Sequence, residues 1–323
     1  MAARRIIGVD LGGTKLLAGA VDPALGVHHR AQRTVTGLDQ RTLLDVIVDA
    51  VQEIRESTGS EIEAVGFGIP VLMDHRTGRA VVGVHTPLAE LAFPDVMAER
   101  LGLPVFVDND GNTSAMAEHL AGAAQGYSEA IVLTLGTGIA GGLIIRDELY
   151  RGALGTAGEI GHVTIDYDGP WCQGNCRSRG CAEMFSSGSA LAREARLLAS
   201  VRPDSALAAA VRDGRELIGP FVTELAHDGD AAAIEAIALI GSRLGITIAN
   251  LVNIFNPQIV VIGGGVIAAG ELLLGPARAS ATSRLLPFLA DHLSIVPARF
   301  GVEAGMVGAA ALAYDQLARA ATA

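Results

Sequence analysis

Apolar and polar positions along the chain mark out its elements one after another. In Arg4 to Asp22, RRIIGVDLGGTKLLAGAVD, two apolar runs flank a polar, glycine-rich centre that holds Asp10, Gly12, Gly13, Thr14 and Lys15. Two short apolar runs about such a centre predict a β-hairpin with a polar tip. Apolar residues then recur at helical spacing from about Arg41 to Ser57, with Gly59 beyond the end, which predicts a helix. The run AVGFGIPVLMD reads as a strand closing on Gly68, Ile69 and Pro70, and a second helix is expected over Pro94 to Leu101. A buried strand at Val105 to Val107 ends in Asp108, Asn109 and Asp110, ahead of a helix from about Thr113.

Ser128 to Ile145, SEAIVLTLGTGIAGGLII, repeats the first theme: a strand, then Thr134, Gly136, Thr137 and Gly138, then Gly141, Gly142 and a second strand. From Ser187 to roughly Asn253 the chain reads as helical, with an alanine-rich amphipathic run over Ala231 to Leu251 that Asn256 and Pro257 stop. A buried strand at Gln258 to Ile262 runs into Gly263, Gly264 and Gly265. Leu293 to Pro297 predicts a last strand, and the sequence after Phe300 a closing helix whose small residues permit close packing.

Composition turns this alternation into an α/β prediction. The 323 residues leave room for two domains, and half of them are hydrophobic while only 4% are aromatic, so the core is built from Ala, Val, Leu and Ile around 40 glycines. A net charge of -11 with no offsetting Lys/Arg run repels a nucleic-acid backbone and excludes nucleic acid as the expected partner. Gly, Asn, Pro or charge cuts the longest apolar runs short of the roughly 18 to 20 residues of a membrane span, so no membrane partner is expected. An odd count of three cysteines and an N-terminus without an apolar signal segment point to a reducing cytoplasm.

Chemistry concentrates at four places. At the first hairpin tip, Gly12 and Gly13 bare backbone amides that, with the Thr14 hydroxyl, suit phosphate oxygens, while Asp10 at the strand end suits Mg2+. An ordinary tight turn is the alternative, and neither a Walker A loop nor a dinucleotide fingerprint is present. The second tip, with Thr137 and Gly138, lets two such loops grip a nucleotide's polyphosphate. Asp110 follows a strand end, where α/β proteins bind ligands, and is the candidate general base for a hydroxyl attacking a phosphoryl group, with Asp108 the weaker candidate. Gly263 to Gly265 either leave room for a base or ribose or simply serve a turn of positive φ. The fourth place is Gly155 to Glu183, which contains every cysteine of the chain. Cys172, Cys176 and Cys181, spaced C-x3-C-x4-C, form with His162 a candidate Cys3His zinc site; a disulfide is the rival reading. Glu159 and Glu183 flank this knuckle, either as surface charges or as acceptors for the hydroxyls of a polyol.

Taken in order, DLGGTK at Asp10 to Lys15, NDGN at Asn109 to Asn112, LGTGIAGG at Leu135 to Gly142, GEIGH at Gly158 to His162, the cysteine knuckle ending in Glu183 and GGG at Gly263 resemble the sugar kinases of the ROK family, within the actin-like ATPase/hexokinase fold. The resemblance implies two ribonuclease-H-like domains with a cleft between them, at residues 1–122, with a C-terminal helix 305–323 packing back on them, and 123–304. It implies phosphorylation of a hexose 6-hydroxyl, glucose foremost, by ATP and Mg2+, with Asp110 as base. Gly68, Asn109, Asp110, Glu159, His162 and Glu183 would meet the sugar; Asp10, Gly12, Gly13, Thr14, Lys15, Thr137 and Gly138 the phosphates; Gly264 and Gly265 the adenosine. His162, Cys172, Cys176 and Cys181 would hold structural Zn2+, and a cytoplasmic homodimer or homotetramer is expected. Kinases for N-acetylmannosamine, fructose or allose, a polyphosphate-using kinase, and sugar-sensing repressors are the alternatives within the family. Two features depart from the family pattern: the knuckle usually reads C-x-C-G-x-x-G-C, whereas Cys172 and Cys176 stand further apart, and His85 occupies a place where relatives often carry a sugar-contacting Asn.

Overall fold

The computed structural model describes residues 4–59, 61–74, 79–83, 87–88, 91–174 and 176–322. His85 lies outside them. In chain order the first elements are β1 (Arg5–Leu11), β2 (Lys15–Val21), β3 (Val27–Thr34), α1 (Gln40–Thr58), β4 (Ile62–Ile69), β5 (Val71–Asp74), β6 (Arg79–Gly83) and α2 (Phe93–Leu101). They continue with β7 (Val105–Asn109), α3 (Asp110–Ala121), β8 (Glu129–Leu135), β9 (Ile139–Ile145) and β10 (Glu148–Leu149). Next come α4 (Glu183–Ser186), α5 (Gly188–Val201), α6 (Ala206–Arg212), α7 (Gly219–His227), α8 (Ala231–Phe255) and β11 (Ile259–Gly263). The chain closes with α9 (Glu271–Thr282), α10 (Pro287–Ala290), β12 (Ser294–Pro297) and α11 (Ala304–Thr322), and 3-10 turns stand at Ile160–His162, Gly265–Ala269 and Gly301–Glu303.

Local chemistry sets these bounds. Asp39 caps α1 by accepting a 2.8 Å bond from the Thr42 amide, Gly59 ends the helix in the left-handed region at φ 56°, and Leu43, Leu44, Ile47, Val51 and Ile54 form its buried stripe. Each such aliphatic side chain contributes about 1.5–3 kcal/mol on leaving water.

One compact unit comprises Met1–Gly126, Gly142–Gly158 and Val302–Ala323. Its sheet has the order β3-β2-β1-β4-β7, antiparallel across β3, β2 and β1 and parallel across β1, β4 and β7. The register aligns Asp10 with Gly68 and Gly68 with Asp108, so three parallel strands end in one row. Helix α11 lies close on this sheet because Gly8 and Gly66 present no side chain to the Met306 and Ala309 carbonyls. On the other face α1 and α2 cover a core in which Phe67 and Phe93 meet edge to face at 5.2 Å.

The second unit comprises Tyr127–Gly141 and Glu159–Gly301. Its strands β8, β11 and β12 pair in that order, with β11 parallel to both β8 and β12. Helix α8 packs against α9, α5 and α7. It is 25 residues long, and an 18-residue window within it has a mean hydropathy of 1.6, long and apolar enough to cross a membrane, contrary to the expectation that no stretch is; 56% of that window is buried inside the protein, as in the core helix of a unit such as this. Its Gly241 and Gly245 do not interrupt it, since they are where the α9 carbonyls of Leu273 and Ala277 come close.

Other expectations need correction. Helix α3 begins at Asp110 rather than near Thr113, because the Asn109 side chain already caps it. The stretch from Ser187 to Asn253 is four separate helices after the short α4, divided where Ser205 and Asp230 start new ones as N-caps. Strand β3, VHHRAQRT, gave no signal in the pattern, since Ala31 is its one buried residue.

Candidate functional site

In the first unit the chemistry gathers at the carboxyl ends of β1, β4 and β7, the edge where ligands bind in α/β folds. Asn109 caps α3 through a 2.8 Å bond from the Gly111 amide to its Oδ1, and Asp110 follows as the first helical residue, half-buried. Asp108 is fully buried: Oδ1 accepts from the Asn109 amide at 2.8 Å and Asn112 Nδ2 at 2.7 Å, and Oδ2 accepts from Arg151 Nε at 2.7 Å. A carboxylate so committed holds the turn in place, which leaves Asp110 as the candidate proton acceptor.

Asp10 stands at the end of β1. Burial among protein groups, and after it the negative charge of Asp110, push its carboxyl up to about 7. The start of α11 crowds it: a Cβ on Gly305 would lie 2.5 Å from its Cγ. A buried carboxyl raised in this way, beside a second carboxylate, fits a hard divalent cation such as Mg2+, which favours the charged form and prefers oxygen ligands. Beyond Asp10 the tip closes with a 2.8 Å bond from the Gly12 amide to the Lys15 carbonyl; Thr14 and Lys15 are exposed, Gly12 and Gly13 half-buried. Gly68 ends near α3, and the Thr113 hydroxyl occupies the space a side chain there would need.

In the second unit the corresponding tip joins β8 to β9, closed by a 3.0 Å bond from the Gly136 amide to the Gly138 carbonyl. Gly264 follows β11 at φ 83°, and a Cβ there would strike the backbone of Leu135. A tight turn therefore accounts for this glycine on its own. Gly265 has open space at its Cβ position.

The knuckle is the most concentrated cluster. One ligand atom each from His162, Cys172, Cys176 and Cys181 lies within 4.8 Å of the others. Cys176 and Cys181 sulfurs are 3.9 Å apart, and Cys172 Sγ lies 3.5 Å from His162 Nδ1. Tetrahedral zinc with Zn–S bonds of about 2.3 Å separates sulfurs by about 3.8 Å, so the set fits that ion, wider cysteine gap included. Burial raises the Cys172 thiol, and its bond to Glu183 raises it further; burial raises Cys181 as well, a cost a bound cation offsets by favouring thiolate. The loop is pinned by backbone bonds from Cys172 to Ser178, Gly180 to Pro170 and Ala182 to Val163.

Both carboxylates expected beside the knuckle are there. Glu183, with its side chain 8% exposed, brings Oε1 to 3.2 Å from Cys172 Sγ and 3.9 Å from His162 Nδ1, while Glu159 Oε2 approaches His162 Nε2 at 3.8 Å. The residue sequence reading missed is Arg151, an isolated arginine 43 positions from the aspartate it serves, with no local pattern to mark it.

A family model described as the ROK family matches residues 6–316. The glucokinase of Streptomyces coelicolor is 34% identical over 316 residues, covering 96% of this chain and 97% of that protein. The glucokinase of Thermotoga maritima is 31% identical over 319 residues, covering 98% and 99%. Among solved structures, a ROK family glucokinase from Streptomyces griseus in complex with glucose and AMPPNP superposes with a TM-score of 0.88 at 35% identity, covering 95% of this chain and 98% of that one. The α/β architecture observed here matches its two-domain ATPase fold.

Proposed function

The chain belongs to the ROK family, and on that premise we propose that it transfers the γ-phosphoryl group of ATP to the 6-hydroxyl of a hexose, glucose first among them. The observation that carries the reading is a full-length likeness to glucokinases combined with Asp110 at the start of α3, directly after β7, a strand that is half-buried rather than buried as expected except at the fully committed Asp108.

Asp110 takes the proton of the attacking hydroxyl, which makes that oxygen a better nucleophile as the bond to phosphorus forms. Gly68 and Asn109, with Glu159, His162 and Glu183, orient the sugar; carboxylates accept from its hydroxyls in short charge-assisted bonds. The amides of Gly12, Gly13 and Gly138, the hydroxyls of Thr14 and Thr137 and the Lys15 ammonium hold phosphate oxygens, and Gly264 and Gly265 lie along the adenosine. Asp10 holds Mg2+, which neutralises charge on the phosphates when bound. Zinc on His162, Cys172, Cys176 and Cys181 is structural and stiffens the loop that carries Glu159 and Glu183. The enzyme works in the cytoplasm as a homodimer or homotetramer on soluble sugar and nucleotide, with no nucleic-acid or membrane partner.

A coupled assay tests this. Wild type should phosphorylate glucose with ATP, and Asp110→Ala should lose about a hundred- to ten-thousandfold in rate while still binding the sugar. Full activity in Asp110→Ala overturns the assignment of the base; preference for N-acetylmannosamine, fructose, allose or polyphosphate in the same assay overturns the choice of substrate.

A further inference from the structure

We propose that Gln173 is a further specificity-determining residue of the sugar site: with Glu183 it reads a single hydroxyl, which donates to the carboxylate and accepts from the Gln173 amide, while Gly138 keeps the space clear. The inference rests on the reading of Glu183 as a sugar ligand.

Gln173 lies inside the widened gap between Cys172 and Cys176. Its Nε2 is buried and has no hydrogen-bond partner among the described residues. A buried N–H left without a partner is costly and uncommon, so such a donor points to an acceptor that arrives with a ligand. What surrounds it shows which acceptor fits. The space a side chain on Gly138 would fill is bordered by Glu183 Oε2 at 2.5 Å and Gln173 Nε2 at 3.9 Å. A carboxylate oxygen and an amide donor thus flank one small volume, and a hydroxyl, being donor and acceptor at once, satisfies both.

Gly138 has no conformational need to be glycine, since its φ is not positive. What it lacks is the carbon that would displace Glu183. Gly136, in the same turn, has open space at its Cβ position and serves as the control. The other oxygen of Glu183 lies 3.2 Å from Cys172 Sγ, which places the pair against the knuckle.

The test is binding of glucose and its single-deoxy analogues, without nucleotide, by titration calorimetry on the zinc-loaded full chain. Gln173→Ala should weaken glucose about tenfold and leave unchanged the affinity for the one analogue that lacks the hydroxyl it reads. Gly138→Ala should weaken glucose with Gly136→Ala unaffected, and Gln173→Ala and Gly136→Ala should keep wild-type zinc content and melting temperature. Equal losses on every analogue, or no loss in Gln173→Ala, overturn the proposal. If wild type binds no hexose, it is the kinase reading that falls, since the variants are then never compared.

Discussion

Arg151 donates a 2.7 Å hydrogen bond from Nε to Oδ2 of Asp108, a carboxylate with no solvent exposure. Removing Arg151, itself 29% exposed, strands part of a fully buried charge that keeps its bonds from Asn109 and Asn112. Arg151→Met should therefore destabilise the protein by about 1–3 kcal/mol in denaturant titrations, with Arg151→Lys recovering part of the loss. A neutral Arg151→Met would show that the pair is solvated in practice.

The raised Asp10 carboxyl gives stability an inverted dependence on pH. Because its folded value of about 7 lies above the usual carboxylate range, the fold favours the protonated form. Its stabilising contribution is complete below about pH 4 and is lost as pH rises through about 7. The melting temperature of the nucleotide-free wild type, minus that of Asp10→Asn, should fall between those limits. A flat difference would mean that Asp10 is charged throughout.

Zinc removal should lower the melting temperature by several degrees and weaken glucose binding, since the four ligands pin the loop from which Glu183 approaches. The measurement is calorimetry before and after chelation with metal content verified; Cys181→Ser should reproduce the chelated state. Unchanged melting after complete removal would make the ion incidental.

Gly264 and Gly265 should separate under mutation. Gly264→Ala forces a side chain into positive φ and onto the Leu135 backbone, which costs at least about 1–3 kcal/mol of stability. Gly265→Ala should be near neutral for folding, so a change in ATP-analogue affinity in that variant alone reports on nucleotide contact. Equal destabilisation by both would remove the distinction.

The elements legible in advance were those whose signal is local. The hairpin tip at Asp10, the α1 stripe ended by Gly59 and the stop at Asn256 all follow from spacing and cap chemistry within a few residues. Strand β3 was illegible because it buries a single alanine, and the breaks between Ser187 and Asn253 because alanine-rich runs read as helix across the caps that divide them.

By itself the sequence determined the family, the α/β class and the four residues, His162, Cys172, Cys176 and Cys181, that gather in one cluster, and it nominated Asp110 over Asp108 as candidate base, because each depends on residue types at short spacing. Tertiary structure alone decided that Asp108 is clamped by Arg151, that Asp10 shares its surroundings with Asp110, and that Gln173 and Glu183 border the space beside Gly138. Those facts are distances between residues far apart in the chain, and a contact made by folding leaves no trace in the order of the residues that make it.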